Sequence, residues 1–157
     1  YLVDKGASSL DTLNVGDLAD EARHDYKIEG RQPSIAEPKS IVSTSSYEDK
    51  GISLTDSGRR HSGWEEFTMK SIPGKSLTLV SRSLLNPDAS QRLLVYANNQ
   101  ETGLWEVHND RGRKWQEYSY TIPAQFITST QTTIRISAYF DPGGPGFPSY
   151  RYWTYAP

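Results

Sequence analysis

The sequence predicts an all-β domain, namely an antiparallel β-sandwich or jelly roll. Candidate strands recur about every 10 to 15 residues with turn-forming residues between them, which is typical of sandwiches. No stretch carries the apolar stripe of an amphipathic helix, which argues against alternating strands and helices. The clearest strand is Thr132–Phe140, where every second residue is apolar, as in a strand with one buried face. Its predicted inward residues are Ile134, Ile136, Ala138 and Phe140.

Shorter versions of this pattern predict the other strands, which are Trp64–Ser71, Leu77–Leu85, Arg92–Ala97, Gly103–His108, Gln116–Ile122 and Tyr150–Tyr155. Arg92–Ala97 is nearly all apolar and predicts a central strand covered on both faces. Pro123–Ile127 predicts a short helical turn. Glu29–Asp56 is rich in Ser and Pro, so we expect long loops there, with short strands near Ser40–Ser43 and Gly51–Leu54.

The first residues differ from the rest in being mixed and polar. We expect residues 1–22 to form a lead-in segment or linker, and residues 23–157 to form the sandwich. Within the lead-in segment, Asp11–Val15 predicts one short strand, and Asp17 predicts the cap of a short turn over Leu18–Arg23. The chain begins at Tyr1 rather than Met and carries no signal peptide, so we interpret it as a mature or excised fragment.

Length and charge bound the class of protein. The 157 residues correspond to one domain with one core. A net charge of −2 gives no electrostatic footprint for nucleic acid, and no apolar run approaches the roughly 18 residues of a membrane span. Cysteine is absent, which excludes disulfides and thiolate metal sites.

Catalytic motifs are missing, which predicts a non-catalytic domain. No G-x-S-x-G elbow is present, and His24, His61 and His108 lie in separate segments. Glu65 and Glu66 are adjacent on a predicted strand and so face opposite sides, unlike the paired carboxylates of a glycosidase. Carboxylates distant in sequence can still meet in space, so a small polysaccharide-acting enzyme stays an alternative.

Aromatic residues provide the candidate binding site. Phe147–Tyr155 holds five aromatic residues. On a strand, one face of this stretch must be core, and the other is either core or a stacking platform for sugar rings. We expect the platform at one loop-rich end of the sandwich, because loops on a rigid scaffold carry binding residues. The platform candidates are Trp64, Trp105 and Trp153. The polar residues expected around it are Arg59 and Arg60, which we expect on a loop, together with Asn98, Asn99 and Asp141.

Several stretches together resemble a known family. Val15–His24 reads V-G-D-L-A-D-E-A-R-H and resembles the opening of a C-terminal β-sandwich domain of bacterial glycoside hydrolases of the β-L-arabinofuranosidase type. Asp20 stands where that opening usually has Ser. Later matches follow in the same order: Gly63-Trp64, Pro73-Gly74-Lys75, Arg92–Val95, Tyr120–Pro123 and Ile134-Arg135-Ile136.

The resemblance implies a galactose-binding-like jelly roll that looks like a carbohydrate-binding module. It implies a non-catalytic accessory module of a larger secreted or periplasmic polysaccharide-degrading protein, with a polysaccharide or oligosaccharide and a neighbouring catalytic domain as partners. The alternative is a bracing domain that packs on that neighbour. The same resemblance gives Glu21 and His24 structural roles and allows a structural calcium ion, although no D-x-D-x-D-G loop is present.

Overall fold

The computed structural model describes residues 8–29, 43–49, 52–61, 63–110, 112, 115–138 and 147–157. Over these residues the chain is an antiparallel β-sandwich with twelve strands, a six-residue α-helix and one 3-10 turn. The predicted fold class is confirmed. No helix in these ranges is long and apolar enough to cross a membrane.

The strands and helices have the following bounds. The first part of the chain contains β1 (Asp11–Asn14), α1 (Leu18–Arg23), β2 (Lys27–Glu29), β3 (Ser43–Asp49), β4 (Ile52–His61) and β5 (Trp64–Lys70). The second part contains β6 (Leu77–Ser83), β7 (Ser90–Ala97), β8 (Gln100–His108), β9 (Gln116–Ile122), the 3-10 turn Ala124–Phe126, β10 (Gln131–Ala138), β11 (Phe147–Ser149) and β12 (Arg151–Tyr155).

These strands form three antiparallel sheets. The first has the order β1-β12-β6-β9, the second β2-β5-β10-β7-β8, and the third β11-β4-β3. The core lies where the inner faces of the first two sheets meet, and its largest fully buried side chains include Phe67, Tyr152, Leu79 and Ile134. Phe67 and Tyr152 stack with ring centroids 4.5 Å apart and so join the two sheets directly.

Strand β10 shows why the period-two pattern was informative. Ile134 and Ile136 are fully buried, while Thr133, Arg135 and Ser137 point to the opposite face. The predicted alternation of this strand is confirmed as far as Ala138, which is half-buried and ends the strand, and Phe140 lies outside the described residues.

The end of the chain differs from its prediction. Phe147–Ser149 lies before the predicted last strand, Tyr150–Tyr155, but forms β11, which pairs with β4 in the third sheet. The backbone passes through Tyr150 into β12, which pairs with β6 and β1 in the first sheet. Pro148 is tolerated because β11 lies at the edge of its sheet, where a strand needs hydrogen bonds on one side only.

The serine-rich segment also differs from its prediction. Ser43–Asp49 and Ile52–His61 pair as a long antiparallel hairpin, where long loops with two short strands had been expected. The buried side chains of β4 are polar or charged, namely Asp56, Arg59 and His61, so this strand lacks the apolar alternation that identifies a strand in a sequence. The expected short strand at Ser40–Ser43 lies, except for Ser43, outside the described residues.

The beginning of the described chain packs on the sandwich. β1 pairs with β12, and Leu13 and Val15 are fully buried in the core. Asp17 caps α1 by accepting hydrogen bonds from the backbone N–H groups of Ala19 and Asp20, as the sequence predicted. A domain boundary at residue 22 stays a prediction, although β1 and α1 precede it and contact the sandwich.

Candidate functional site

Arg59 and Arg60 are adjacent on β4, not on a loop as expected, so their side chains leave the strand on opposite sides. Arg59 is buried and donates to Glu21 of α1 through Nε at 2.6 Å and Nη2 at 2.8 Å. Glu21 also accepts from the backbone N–H of Gly16 at 2.9 Å. Arg60 is exposed. The Arg59 guanidinium is therefore used to hold α1 on the third sheet, as the structural role inferred for Glu21 implies.

Two of the three candidate platform residues are in the interior. Trp105 is 3% exposed and packs beside Tyr120 with ring centroids 5.9 Å apart. Trp153 is also 3% exposed and is covered by the guanidiniums of Arg82 and Arg151, at 5.0 and 5.9 Å from the ring centroid. Neither ring presents a face that a sugar can reach. Strand β12 is thus buried on both faces, on one by Tyr152 and on the other by Trp153.

Asn98 and Asn99 form the turn between β7 and β8. Both have positive φ angles, of 50° and 67°, which a two-residue hairpin turn requires and which asparagine tolerates. The side-chain oxygen of Asn98 accepts from the backbone N–H of Thr133 at 3.1 Å. Both residues are exposed, at the opposite end of β10 from Ser137 and Trp64. Asp141 lies outside the described residues.

Trp64 is the candidate platform residue that remains accessible. It is half-buried on the face of the five-stranded sheet that points away from the core, which we call the outer face. The Arg135 guanidinium carbon lies 4.7 Å from its ring centroid, and Arg135 Nη2 donates to Glu66 Oε1 at 3.1 Å. This cation–π contact and this ion pair hold the side chains of Trp64, Arg135 and Glu66 in one arrangement.

Trp64 begins a row of residues that crosses four strands. Trp64 is directly opposite Ser137, which is opposite Leu94, which is opposite Leu104. Leu104 is 41% exposed, and Leu94 and Ser137 are half-buried. We call these four residues the Trp64 row. Three strand spacings of about 4.8 Å give the row a length of about 14 Å.

Charged side chains border the Trp64 row on both sides. On one side lies the next row of paired residues across the sheet, which consists of Lys27 on β2, Glu66 on β5, Arg135 on β10 and Tyr96 on β7. On the other side Arg92 and Glu106 form an exposed ion pair at 3.4 Å. The outer face thus combines an apolar strip with polar borders, which is the composition of a surface that binds an amphipathic ligand.

Sequence reasoning missed Leu94, Leu104, Tyr96 and Arg135 as site residues. The all-apolar stretch Arg92–Ala97 was assigned to a strand covered on both faces, but β7 alternates between buried Leu93, Val95 and Ala97 and half-buried Leu94 and Tyr96. That assignment is wrong, because no element of the described chain covers this face of β7. The sequence did indicate that Arg135 points outward from β10. Its cross-strand neighbour Tyr96 must then lie on the same outer face.

A second accessible region lies beside α1. It is a groove of about 620 Å³, here called the α1 groove, between α1 and β1 on one side and the end of β5 on the other. At its floor the Nε2 atom of His24 lies 3.1 Å from Asp11 Oδ1, and the Nδ1 atom lies 2.8 Å from the backbone oxygen of Asp20. Both partners are oxygen acceptors, so each ring nitrogen faces an atom that can accept a hydrogen bond from a ring N–H.

The two floor carboxylates are also held by other donors. Asp11 accepts from the backbone N–H groups of Thr12 at 2.9 Å and Lys70 at 3.0 Å. Asp20 accepts from the backbone N–H of Asn14 at 2.6 Å and from Arg23 at 2.8 Å. The floor is therefore a closed hydrogen-bond network that joins β1, α1 and β5.

Among the carboxylates of the described residues, that of Glu65 is the most buried. Its oxygens accept from Tyr26 Oη and Ser149 Oγ, both at 2.6 Å, and from Tyr152 Oη, and His61 Nε2 lies 3.4 Å away. Burial raises the pKa of Glu65, but attraction to His61 and the hydrogen bonds from Ser149 and Tyr152 together outweigh burial and lower the pKa. Glu65 is fully buried, so this cluster holds sheets together and does not meet a ligand.

Among the described residues, no group of three or more His, Cys, Asp and Glu side chains is arranged to hold a metal ion. The nearest cluster is His24 with Asp11 and Asp20, and its ring nitrogens already face oxygen atoms of the protein. The donors of this cluster do not fit a structural calcium ion, which binds six to eight oxygen atoms.

Comparison with known proteins relates this architecture to others. Neither a protein-family model nor a curated protein sequence matches the chain. A family 35 carbohydrate-binding module from an environmental isolate matches it with a TM-score of 0.60 and 12% identity, over 92% of this chain and 91% of that one. The chain has the fold of a carbohydrate-binding module.

Two further solved structures share this carbohydrate-binding-module fold. A module named CBM6cm-2 from Cellvibrio mixtus lichenase 5A, in complex with cellotriose, matches with a TM-score of 0.55 and 13% identity, over 94% of this chain and 97% of that chain. A family 35 module from Clostridium thermocellum matches with a TM-score of 0.54 and 12% identity, over 75% of this chain and 88% of that chain. At these identities the likeness concerns the fold.

Proposed function

We propose that the chain is a non-catalytic module that binds a polysaccharide or oligosaccharide on the outer face of its five-stranded sheet. The observation that carries this proposal is the Trp64 row, in which a half-buried indole and the exposed Leu104 share one strip between charged borders. The C–H-rich face of a sugar ring packs on such apolar groups, while its hydroxyls reach polar side chains beside them.

The borders of the row suit the hydroxyl groups of a sugar. Arg135 uses Nη2 for Glu66, and its side chain is 37% exposed, so further N–H donors are available at the surface. A guanidinium offers five donors in a fixed plane, which matches pairs of neighbouring hydroxyls. The contact between Arg135 and Trp64 places these donors directly beside the stacking ring.

We propose a non-catalytic module because the carboxylates of Asp11 and Asp20 are not available for catalysis. Asp11 and Asp20 lie on two sides of the His24 ring, the arrangement in which a glycosidase pair would be sought. Every oxygen of both carboxylates already accepts a hydrogen bond from the protein. A general acid must carry a transferable proton and meet the scissile oxygen, and neither group is available for that.

The experiment is a binding measurement on the full chain with neutral and acidic polysaccharides, first by affinity gel and then by calorimetry. Trp64→Ala should lower affinity at least about tenfold, which corresponds to a loss of ~1.4 kcal/mol. Trp64→Phe, which retains a ring, should lose less. Thr121→Ala on the exposed face of the other sheet is the matched control and should bind as the wild type does.

Binding that is unchanged in Trp64→Ala, in a variant with a wild-type circular-dichroism spectrum, would exclude this face as the site. An unmodified chain that binds no polysaccharide in the panel would exclude carbohydrate binding as its function.

The bracing domain is the second candidate, and the observation that favours it is the cross-strand pair of Leu94 and Leu104. Leu94 is half-buried and Leu104 is exposed, and no element of the described ranges covers them. Such an aliphatic pair fits a protein neighbour better than a sugar. Leu104→Ser separates the two functions, since it should weaken docking on a neighbouring domain more than it weakens glycan binding. Trp64→Ala should weaken glycan binding more than it weakens docking on a neighbouring domain.

We further propose that the chain is an accessory part of a larger secreted or periplasmic protein that degrades polysaccharides, a glycoside hydrolase of the β-L-arabinofuranosidase type. The support is the order in which the motifs from Val15–His24 to Ile134–Ile136 follow the family pattern. A parent protein with a catalytic domain next to this one, exported from its cell, is the expected finding. A parent without a hydrolase domain would contradict it.

A further inference from the structure

The Trp64 row and the α1 groove are two ends of one continuous surface. Along β5 the side chains at alternate positions point to the outer face, and these are Trp64, Glu66, Thr68 and Lys70. Thr68 and Lys70 also line the α1 groove. Six residues at about 3.3 Å each separate the two ends by about 20 Å, a distance that one short glycan chain can span.

The groove has a fixed floor and an available rim. Its floor is the network of His24, Asp11 and Asp20, whose hydrogen bonds lie within the protein. On the rim, the Lys70 side chain has no partner among the described residues, and the neighbouring Gln131 amide is likewise uncommitted. A fixed floor with free polar groups above it lowers the cost of ordering on binding.

The rest of the rim adds charge of both signs. Arg23 is 66% exposed and forms an ion pair with Asp20, and Asp25 is 75% exposed and forms an ion pair with Lys27. The groove thus offers an ammonium, a guanidinium, a carboxylate and an amide within one space of about 620 Å³, a volume typical of small-ligand sites. Donors and acceptors are mixed, and the cationic and anionic groups balance each other.

We propose that the α1 groove is a polar subsite for a neutral oligosaccharide, and that it holds one end of the chain whose other part stacks on the Trp64 row. This inference rests on the proposed function of the outer face. A neutral polyol fits because it both donates and accepts hydrogen bonds, whereas an anion would meet Asp25 and the floor carboxylates. The Trp64 row supplies apolar contact, and the groove supplies hydrogen bonds to hydroxyls.

The test compares neutral oligosaccharides of increasing length by calorimetry on the full chain. Lys70→Ala combined with Gln131→Ala should leave the affinity for short oligosaccharides unchanged and lower that for long ones about tenfold or more, since two hydrogen bonds are lost. Trp64→Ala should lower the affinity at every length. Lys75→Ala, an exposed lysine outside the groove, is the matched control.

The outcomes separate this inference from the proposed function. If the double variant follows the wild type at every length while Trp64→Ala loses binding, the groove subsite is overturned and the outer face stands. If acidic oligosaccharides bind more tightly than neutral ones and the double variant abolishes that preference, the neutral ligand class is overturned. If the wild type binds no oligosaccharide, the proposed function itself is overturned.

Discussion

Arg59 of β4 and Glu21 of α1 form a buried ion pair with two hydrogen bonds, Nε to Oε2 at 2.6 Å and Nη2 to Oε1 at 2.8 Å. Hydrogen bonding to Glu21 raises the pKa of Arg59, because it stabilises the charged guanidinium. Both side chains are more than nine-tenths buried. A pair of this kind costs much to disrupt on one side, because the remaining charge stays buried without its partner.

Replacing Arg59 by Ala should therefore destabilise the domain by about 3 kcal/mol or more. Arg59→Lys should also destabilise it, since an ammonium cannot reproduce the two-point contact. Urea unfolding followed by fluorescence measures both. Arg92→Ala is the control: its pair with Glu106 is about two-thirds exposed, so a change above ~1 kcal/mol there, or a smaller one for Arg59→Ala, would contradict this account.

Acid should destabilise the domain partly through Glu65. The pKa of Glu65 is lowered on folding, so its contribution is present above the value of about 4.5 for an unperturbed glutamate and is lost as the pH falls through the folded-state pKa. In Glu65→Gln, stability at neutral pH should fall by ~2 kcal/mol because one side of the amide cannot accept hydrogen bonds. Its stability should then depend less on pH below 4.5 than that of the wild type. Parallel curves for the two proteins would contradict the assignment.

Alkali should act through Tyr26 and Tyr152. Burial raises the pKa of both phenols well above 10.0, and the charge of Glu65 raises it further. Their contribution to stability is thus complete below pH 10.0 and declines as the pH rises above that value, where unfolded tyrosines ionise. A titration of tyrosinate absorbance should show these two of the ten tyrosines ionising only on unfolding. Reversible ionisation of all ten with the fold intact would refute this.

Gly58 should tolerate no side chain. A Cβ atom there would lie 2.7 Å from Cδ1 of Tyr150 and closer still to the backbone oxygen of Ser149, where the chain passes from β11 to β12. Gly58→Ala should cost ~2–3 kcal/mol from overpacking against this backbone. Gly74→Ala is the matched control, since its Cβ meets nothing within 4 Å and only its φ of 77° opposes the change. Its cost should be ~1 kcal/mol. Equal thermal shifts would contradict the prediction.

Sequence reasoning located the strands whose inward residues are strongly apolar. β10 and β9 follow from alternation alone, and Glu65 and Glu66 lie on opposite faces as adjacent strand residues must. The same reasoning missed β11 and predicted only short strands, near Ser40–Ser43 and Gly51–Leu54, in the region of β3 and β4, because serines and a proline there give no apolar period. For the same reason Arg59 was expected on a loop. Because the residue lies on β4, the position of α1 determines that its partner is Glu21.

The candidate site was harder to predict than the fold. Three tryptophans had equal standing in the sequence, and only the packing of the sheets distinguishes the half-buried Trp64 from the interior Trp105 and Trp153. The Trp64 row joins residues from four strands, so it depends on register, which a single sequence does not encode locally. The α1 groove depends in turn on where β2 begins beside β5.

The position of β12 between β1 and β6 has a consequence for biosynthesis. Asp11 of β1 pairs with Thr154 of β12, so the ribosome must release the chain as far as β12 before that sheet can close. Until then Leu13 and Val15 have no interior to enter, and the nascent chain depends on chaperones or on speed to avoid aggregation.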